Sequence, residues 1–201
     1  EFWVPLIEKA YAKVHGCYEA LISGDMSEAL SDFTGLMTQR INVFAKRSGE
    51  FDDPDSFFIR FEKWSRSGNL MGCSISTSQK SRNPEGAVII EGEDSGLISG
   101  HAYSIQSVIS IVDKNGEQQQ LLRIRNPWGS KNVREFNGRW SDNSEELLNN
   151  YQIINEKLKQ TYGKEAELID VNNQDDGSFF MCYKQRFTLF TKLCLCIRFP
   201  K

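Results

Sequence analysis

The sequence has no apolar run near the roughly 18 residues that a bilayer-spanning helix needs. Its opening Glu1-Phe2-Trp3 also lacks a basic stretch followed by an apolar one, so neither a membrane span nor a secretory leader is expected. It lacks a strong charge imbalance, with 24 basic residues against 27 acidic ones and a formal charge of -3. That balance offers no basic surface for counterion release and sets nucleic acid aside as a partner. Histidine is scarce, at two residues. The five cysteines, Cys17, Cys73, Cys182, Cys194 and Cys196, show neither paired metal-ligand spacing nor the dense even set of a disulfide-stapled secreted domain. Reduced thiols in a cytoplasmic setting are the expectation. Internal repeats are absent. The first residue is not Met, so an N-terminal portion is expected to precede it. What the chain does have is 39% hydrophobic and 11% aromatic residues, enough to build a core.

Phe2, Trp3, Leu6, Ile7, Ala10, Tyr11 and Val14 recur at helical spacing, and Gly16 stands where a C-terminal cap would, which predicts an amphipathic helix over 2–14. Further short helix is expected over 17–33, broken at Gly24-Asp25, and a strand over 38–45. From Lys46 through Pro54 the chain turns polar and rich in breakers, which places a boundary between a first subdomain, 1–45, and a second, 46–201. Asp55 is the expected cap of a helix that carries Phe58, Phe61 and Trp64 and ends near Gly68. Strands are expected over 70–76, 87–90, 102–112 and 119–124, the last two joined by the hairpin signal Asp113-Lys114-Asn115-Gly116. Asn143 and Glu146 form a capping-box pair ahead of a stripe of Leu147, Leu148, Tyr151, Ile154 and Leu158, closed by Gly163. Strands over 179–183 and 193–199 flank a short helical turn. Cys194 and Cys196 alternate with Leu195 and Ile197, so both should face one side.

His15 falls near the C-terminal end of the opening helix, where a cation meets the helix dipole favourably; that is a structural or solvent-exposed position. His101 stands in Ser99-Gly100-His101-Ala102-Tyr103-Ser104-Ile105, directly after a glycine that leaves room for backbone or substrate. A lone histidine there is more often a satisfied core or loop residue. The returning strand, however, ends Leu122-Arg123-Ile124-Arg125-Asn126-Pro127-Trp128-Gly129, so the hairpin brings Asn126 back alongside His101. A thiol protease needs a histidine to take the thiol proton and a third group, such as an asparagine oxygen, to accept its other N–H and fix the tautomer. An indole at Trp128 would exclude water from that pair. A strand ending in a Pro-Trp turn packed on the core is the plainer alternative for the same string.

Taken in order, Glu1-Phe2-Trp3, Glu8-Lys9-Ala10-Tyr11-Ala12-Lys13, Gly16-Cys17-Tyr18-Glu19-Ala20-Leu21, Asp32-Phe33-Thr34-Gly35, Gly72-Cys73-Ser74-Ile75, the His101 and Asn126 strings, and Gly138-Arg139-Trp140-Ser141-Asp142 resemble calpains over most of the chain. The resemblance implies an α+β, papain-like cysteine protease core, with the end of a helical first subdomain followed by a mainly antiparallel β second subdomain. By that likeness His101 is the general base, Asn126 its orienting partner and Trp128 the shielding indole, while Gly35 and Gly100 belong to the substrate cleft. The family's nucleophile lies in a Gly-Asp-Cys-Trp-like motif upstream of the Phe-Trp helix, and no such motif occurs in this sequence. The glutamine of the family's oxyanion hole belongs to the same upstream stretch. Cys17 and Cys73 stand in strings other than the catalytic one. Leu36 replaces the second glycine that usually follows Gly35 in calpains, which narrows the expected cleft.

Calpain cores also bind calcium through loops in each half. By the same likeness the ligands are Glu135 and Asp142 in the loop after Trp128, and Asp176 with the Gln174 carbonyl in the loop before Phe179. Calcium takes about 6–8 oxygens, so waters and further carbonyls would complete the shell. Ser178 stands where calpains often place another acid, and the loop between Gly129 and Glu135 is longer than usual. Solvated acidic loops without metal are the alternative. The resemblance as a whole implies an intracellular, calcium-dependent cysteine endopeptidase acting on protein substrates. This chain would be the portion that meets an upstream half carrying the catalytic cysteine, and would be inactive alone. A calpain-like module without activity, serving regulation or protein binding, is the competing class.

Overall fold

The computed structural model describes residues 2–42, 53–76, 87–90, 93–129, 135–171, 176–186 and 189–198. Two strands organise it. β5 (Ala102–Val112) and β6 (Gln118–Arg125) pair antiparallel from Val112 opposite Gln118 to Ser104 opposite Arg125. The connection is the expected tight turn, with Gly116 at φ +82 donating its N–H to the Asp113 carbonyl at 2.9 Å. β2 (Leu70–Ser74), β8 (Lys192–Cys196) and β1 (Thr38–Asn42) extend this hairpin on one side and β7 (Ser178–Cys182) on the other, giving an antiparallel sheet in the order β1, β8, β2, β5, β6, β7. A separate hairpin joins β3 (Ala87–Ile90) to β4 (Glu93–Ile98). The division expected between 45 and 46 lies outside the described residues, and β1, which precedes it, pairs with β8 in this sheet.

Period-two alternation sends neighbouring side chains into two different cores. Leu122, Ile124, Phe179 and Met181 meet Phe57, Phe58 and Phe61 of α3 (Pro54–Arg66) on one face. On the other, Leu121, Phe180 and Cys182 meet Leu147, Ile154 and Leu158 of α4 (Glu145–Tyr162). Every residue of β7 is buried, as befits a strand covered on both faces. The two cysteines of β8 do share a side: Cys194 lines a cleft together with Met26, while Cys196 Sγ is 3.4 Å from Thr34 Oγ1 of α2 (Met26–Thr34).

Two helix caps differ from expectation by a residue or two. Asp53, not Asp55, caps α3 by accepting the Ser56 N–H at 2.8 Å, because Pro54 occupies the first helical position and needs no partner for a missing N–H. Asp55 instead pairs with Lys184 at 2.8 Å. Ser144, not Asn143, caps α4 through the Leu147 N–H, and Glu146 turns to Arg139 at 2.7 Å rather than closing a capping box. Leu148 of the expected stripe is exposed. The opening helix, α1 (Trp3–Val14), forms as expected but leaves Phe2, Trp3, Val4, Leu6, Ile7 and Val14 exposed, with only Ala12 buried.

Candidate active site

His101 lies one residue before β5, and its placement starts with backbone geometry. Gly100 adopts φ +72 and donates its N–H to the Ile75 carbonyl at 2.7 Å, while the Ile75 N–H donates to the His101 carbonyl at 3.2 Å. These two bonds tie the approach to β5 onto the chain leaving β2. The hairpin register that sets Arg125 opposite Ser104 carries Asn126, one residue past β6, back to His101. His101 Nε2 and Asn126 Oδ1 are 2.8 Å apart. Asn126 is fully buried, and its own N–H donates to the Gly177 carbonyl at 2.8 Å.

Aromatic rings bracket the imidazole. The Trp128 ring lies 4.3 Å from it, centroid to centroid, and the Tyr103 ring stands edge-on at 4.8 Å. Trp128 covers one face of His101 yet is itself 60% exposed, so it is a flap at the rim rather than a buried wall. Tyr103 is buried, and its hydroxyl accepts the Ile98 N–H at 2.9 Å, bracing the segment that leads into His101. Burial pushes the Tyr103 phenol well above its ordinary pKa.

His101 and Gly100 open onto a cleft of about 270 Å³, whose other walls include Met26, Arg40, Ser74 and Cys194. Arg40 holds the far wall by pairing with Asp25 at 3.2 Å and with Glu28 at 3.2 Å. Gly35 sits at the left-handed C-cap of α2, φ +66, and is not among the described residues lining this cleft. All five cysteines are free, and four are buried. Burial pushes the Cys194 thiol up to about 11 and the Cys73 thiol well above its ordinary value, so both stay protonated near neutrality. Cys17 is exposed beyond the end of α1. Among the described residues none of these sulfurs is hydrogen-bonded to His101.

The four oxygen ligands expected for calcium fare differently. Gln174 lies outside the described residues. The Asp176 carboxylate is already engaged, one oxygen accepting the Ser178 N–H at 2.7 Å and the other 3.6 Å from Arg123 Nη2. The Glu135 carbonyl packs against Gly96, where a Cβ would come within 1.6 Å of it. Among the described residues no three Asp, Glu, His or Cys side chains gather as a metal site. Glu135, Asp142 and Asp176 therefore do not, by themselves, fit a calcium ion.

Some of the site was not singled out from sequence. Gly177 is the clearest case: at φ +83, with a hypothetical Cβ 3.0 Å from both the Asn126 carbonyl and Gly129 Cα, it admits no other residue without a shift. Asp176-Gly177 is a turn signal, but nothing local shows that the turn packs under Asn126. Tyr103 was legible only as an aromatic in a strand.

Comparison with known proteins identifies the family. The family model described as calpain family cysteine protease matches residues 1–197. The chain is 41% identical to Calpain clp-4 of Caenorhabditis elegans over 197 residues, 98% of this chain and 24% of that protein. It is 36% identical to Calpain-9 of Rattus norvegicus over 196 residues, again 98% and 24%, and 36% identical to Calpain-B of Drosophila melanogaster over 200 residues, 98% and 19%. It thus spans about a quarter or less of the length of these relatives. Its helices and antiparallel sheet make the α+β arrangement of a papain-like core. With a family model covering nearly every residue and relatives that match 98% of this chain, the chain belongs to the calpain family of cysteine proteases.

Proposed function

We propose that this chain is the histidine- and asparagine-bearing part of an intracellular, calcium-dependent cysteine endopeptidase, which cleaves protein substrates once a segment supplying the nucleophilic thiol closes against it. The observation that carries this reading is the 2.8 Å contact between His101 Nε2 and Asn126 Oδ1 at the mouth of a cleft. With Nε2–H donated to the amide oxygen, Nδ1 holds the lone pair and can take a proton. In the proposed reaction His101 accepts the thiol proton, and the thiolate attacks the peptide carbonyl carbon. The imidazolium then protonates the leaving amine as the C–N bond breaks, leaving a thioester. His101 next deprotonates a water that attacks the thioester, and the returning proton restores the thiol. Asn126 holds the ring throughout, and Trp128 limits water on one face.

The exposed apolar side chains of α1 support a partner on that face, and the proposed partner is the segment bearing the nucleophile. Calcium dependence enters through the likeness to calpains. Beside Glu135 and Asp142, an ion shell of about 6–8 oxygens would need waters and further carbonyls. No helix among the described residues is long and apolar enough to cross a membrane.

The test is hydrolysis of an unfolded protein substrate under reducing conditions, with and without calcium. The chain alone should give no turnover, because four of its five thiols are buried and none is hydrogen-bonded to His101 among the described residues. Joined to a segment carrying a Gly-Asp-Cys-Trp-like motif, it should turn over substrate. Failure of the joined, folded protein would favour a regulatory or binding module without activity. Turnover by the chain after all five cysteines are replaced would overturn the thiol mechanism.

A further inference from the structure

Arg123 is a charged side chain only 5% exposed, on the strand that ends beside Asn126. A guanidinium stripped of water is costly unless each face of its charge is met. Here Nη1 donates to the Glu167 carbonyl, Nη2 lies 3.6 Å from Asp176 Oδ2, and the group stands over the Phe180 ring at 5.8 Å. The Glu167 carboxylate is more distant, at 4.0 Å.

Asp176 is the link to the site. Its other oxygen accepts the Ser178 N–H at 2.7 Å, closing a turn in which a carboxylate stands in for backbone, with Gly177 between. The Gly177 carbonyl in turn accepts the Asn126 N–H at 2.8 Å, and Asn126 Oδ1 meets His101 Nε2. A continuous series of polar contacts therefore runs from a buried cation to the imidazole. We propose that Arg123 is a positioning residue for the His101–Asn126 pair, acting through Asp176 and the Gly177 turn, and that its guanidinium rather than calcium is the cation Asp176 serves.

This inference rests on the reading of His101 and Asn126 as base and orienting partner. Its test reads the imidazole rather than activity, so its failure leaves that reading standing. The probe is solvent exchange of the His101 Nε2–H, followed by NMR in the 201-residue chain. Asp176→Ala and Arg123→Met should speed exchange about threefold to tenfold, no more than outright loss of the Asn126 acceptor, with Arg123→Lys between them and the parent. Ile41→Ala, which weakens the core at the β1 edge of the sheet, opposite β7, should stay within about twofold, so general destabilisation is distinguished. If Arg123→Met does not fold, Asp176→Asn decides: it keeps the oxygen for Ser178 but turns the atom facing Arg123 from an acceptor into an NH2 donor, and should speed exchange more than about threefold. Unchanged exchange in Asp176→Asn and Asp176→Ala overturns the positioning role. Calorimetric titration with calcium chloride tests the second half. Asp176→Asn should match the parent within about twofold, and a loss of about tenfold or more would make Asp176 a calcium ligand.

Discussion

Asn126 Oδ1 lies 2.8 Å from His101 Nε2 and also accepts the Trp128 backbone N–H at 3.1 Å. The second contact settles the first. A backbone N–H only donates, so the amide atom facing it is oxygen, and that oxygen obliges His101 Nε2 to carry the hydrogen. The ring is left with its free lone pair on Nδ1. The His101 Nε2–H should accordingly exchange slowly with solvent, and Asn126→Ala should speed that exchange about tenfold, as loss of one hydrogen bond to a part-buried group predicts. Equal exchange rates in parent and variant would contradict the bond.

Thiol labelling should divide the cysteines. In the native chain Cys17 should react rapidly with a small disulfide reagent, and the four buried thiols should react only on unfolding. More than one rapidly labelled thiol would contradict the packing around β2, β7 and β8.

The Cys194 thiol also makes stability depend on alkaline pH. Burial raises it from 9.0 to about 11, so across that window the folded chain keeps a proton that the unfolded chain has lost. Its contribution is fully present below 9.0 and is lost as pH rises through about 11. Urea midpoints measured at about pH 8 and about pH 10.5 should fall, and fall less in Cys194→Ala than in the parent. An identical fall in both would remove Cys194 as a cause.

Phe61 is fully buried between α3 and the sheet. Phe61→Ala should cost about 3–5 kcal/mol in urea unfolding, from lost transfer energy and the cavity left behind. A cost below about 1 kcal/mol would mean that α3 is not seated on the sheet as described.

What the sequence made legible was local. The β5–β6 hairpin could be read because alternation on both strands and the Asp113–Gly116 turn agree, and that register alone brings Asn126 to His101. The strand Glu93–Ile98 was not expected, since Asp94, Ser95 and Gly96 read as breakers. Gly96 is there because the Glu135 carbonyl, about forty positions along, leaves no room for a Cβ. The pairing of β1 with β8 is likewise non-local, with Thr38 opposite Cys196 and nothing in either string naming the other. Asp176 was read as a calcium ligand from likeness, whereas its partner Arg123 is a buried charge that only the assembled sheet reveals.

Joining the chain to a segment that carries the nucleophile permits the most direct measurement, the turnover of a peptide substrate by the parent, His101→Ala and Asn126→Ala proteins, each checked for folding. His101→Ala should lose about a thousandfold or more, because the base proposed to take the thiol proton is gone, and Asn126→Ala should lose less, about tenfold to a hundredfold, because it orients the ring without transferring a proton. A folded His101→Ala protein within about twofold of parental turnover would contradict the assignment of His101 as the base.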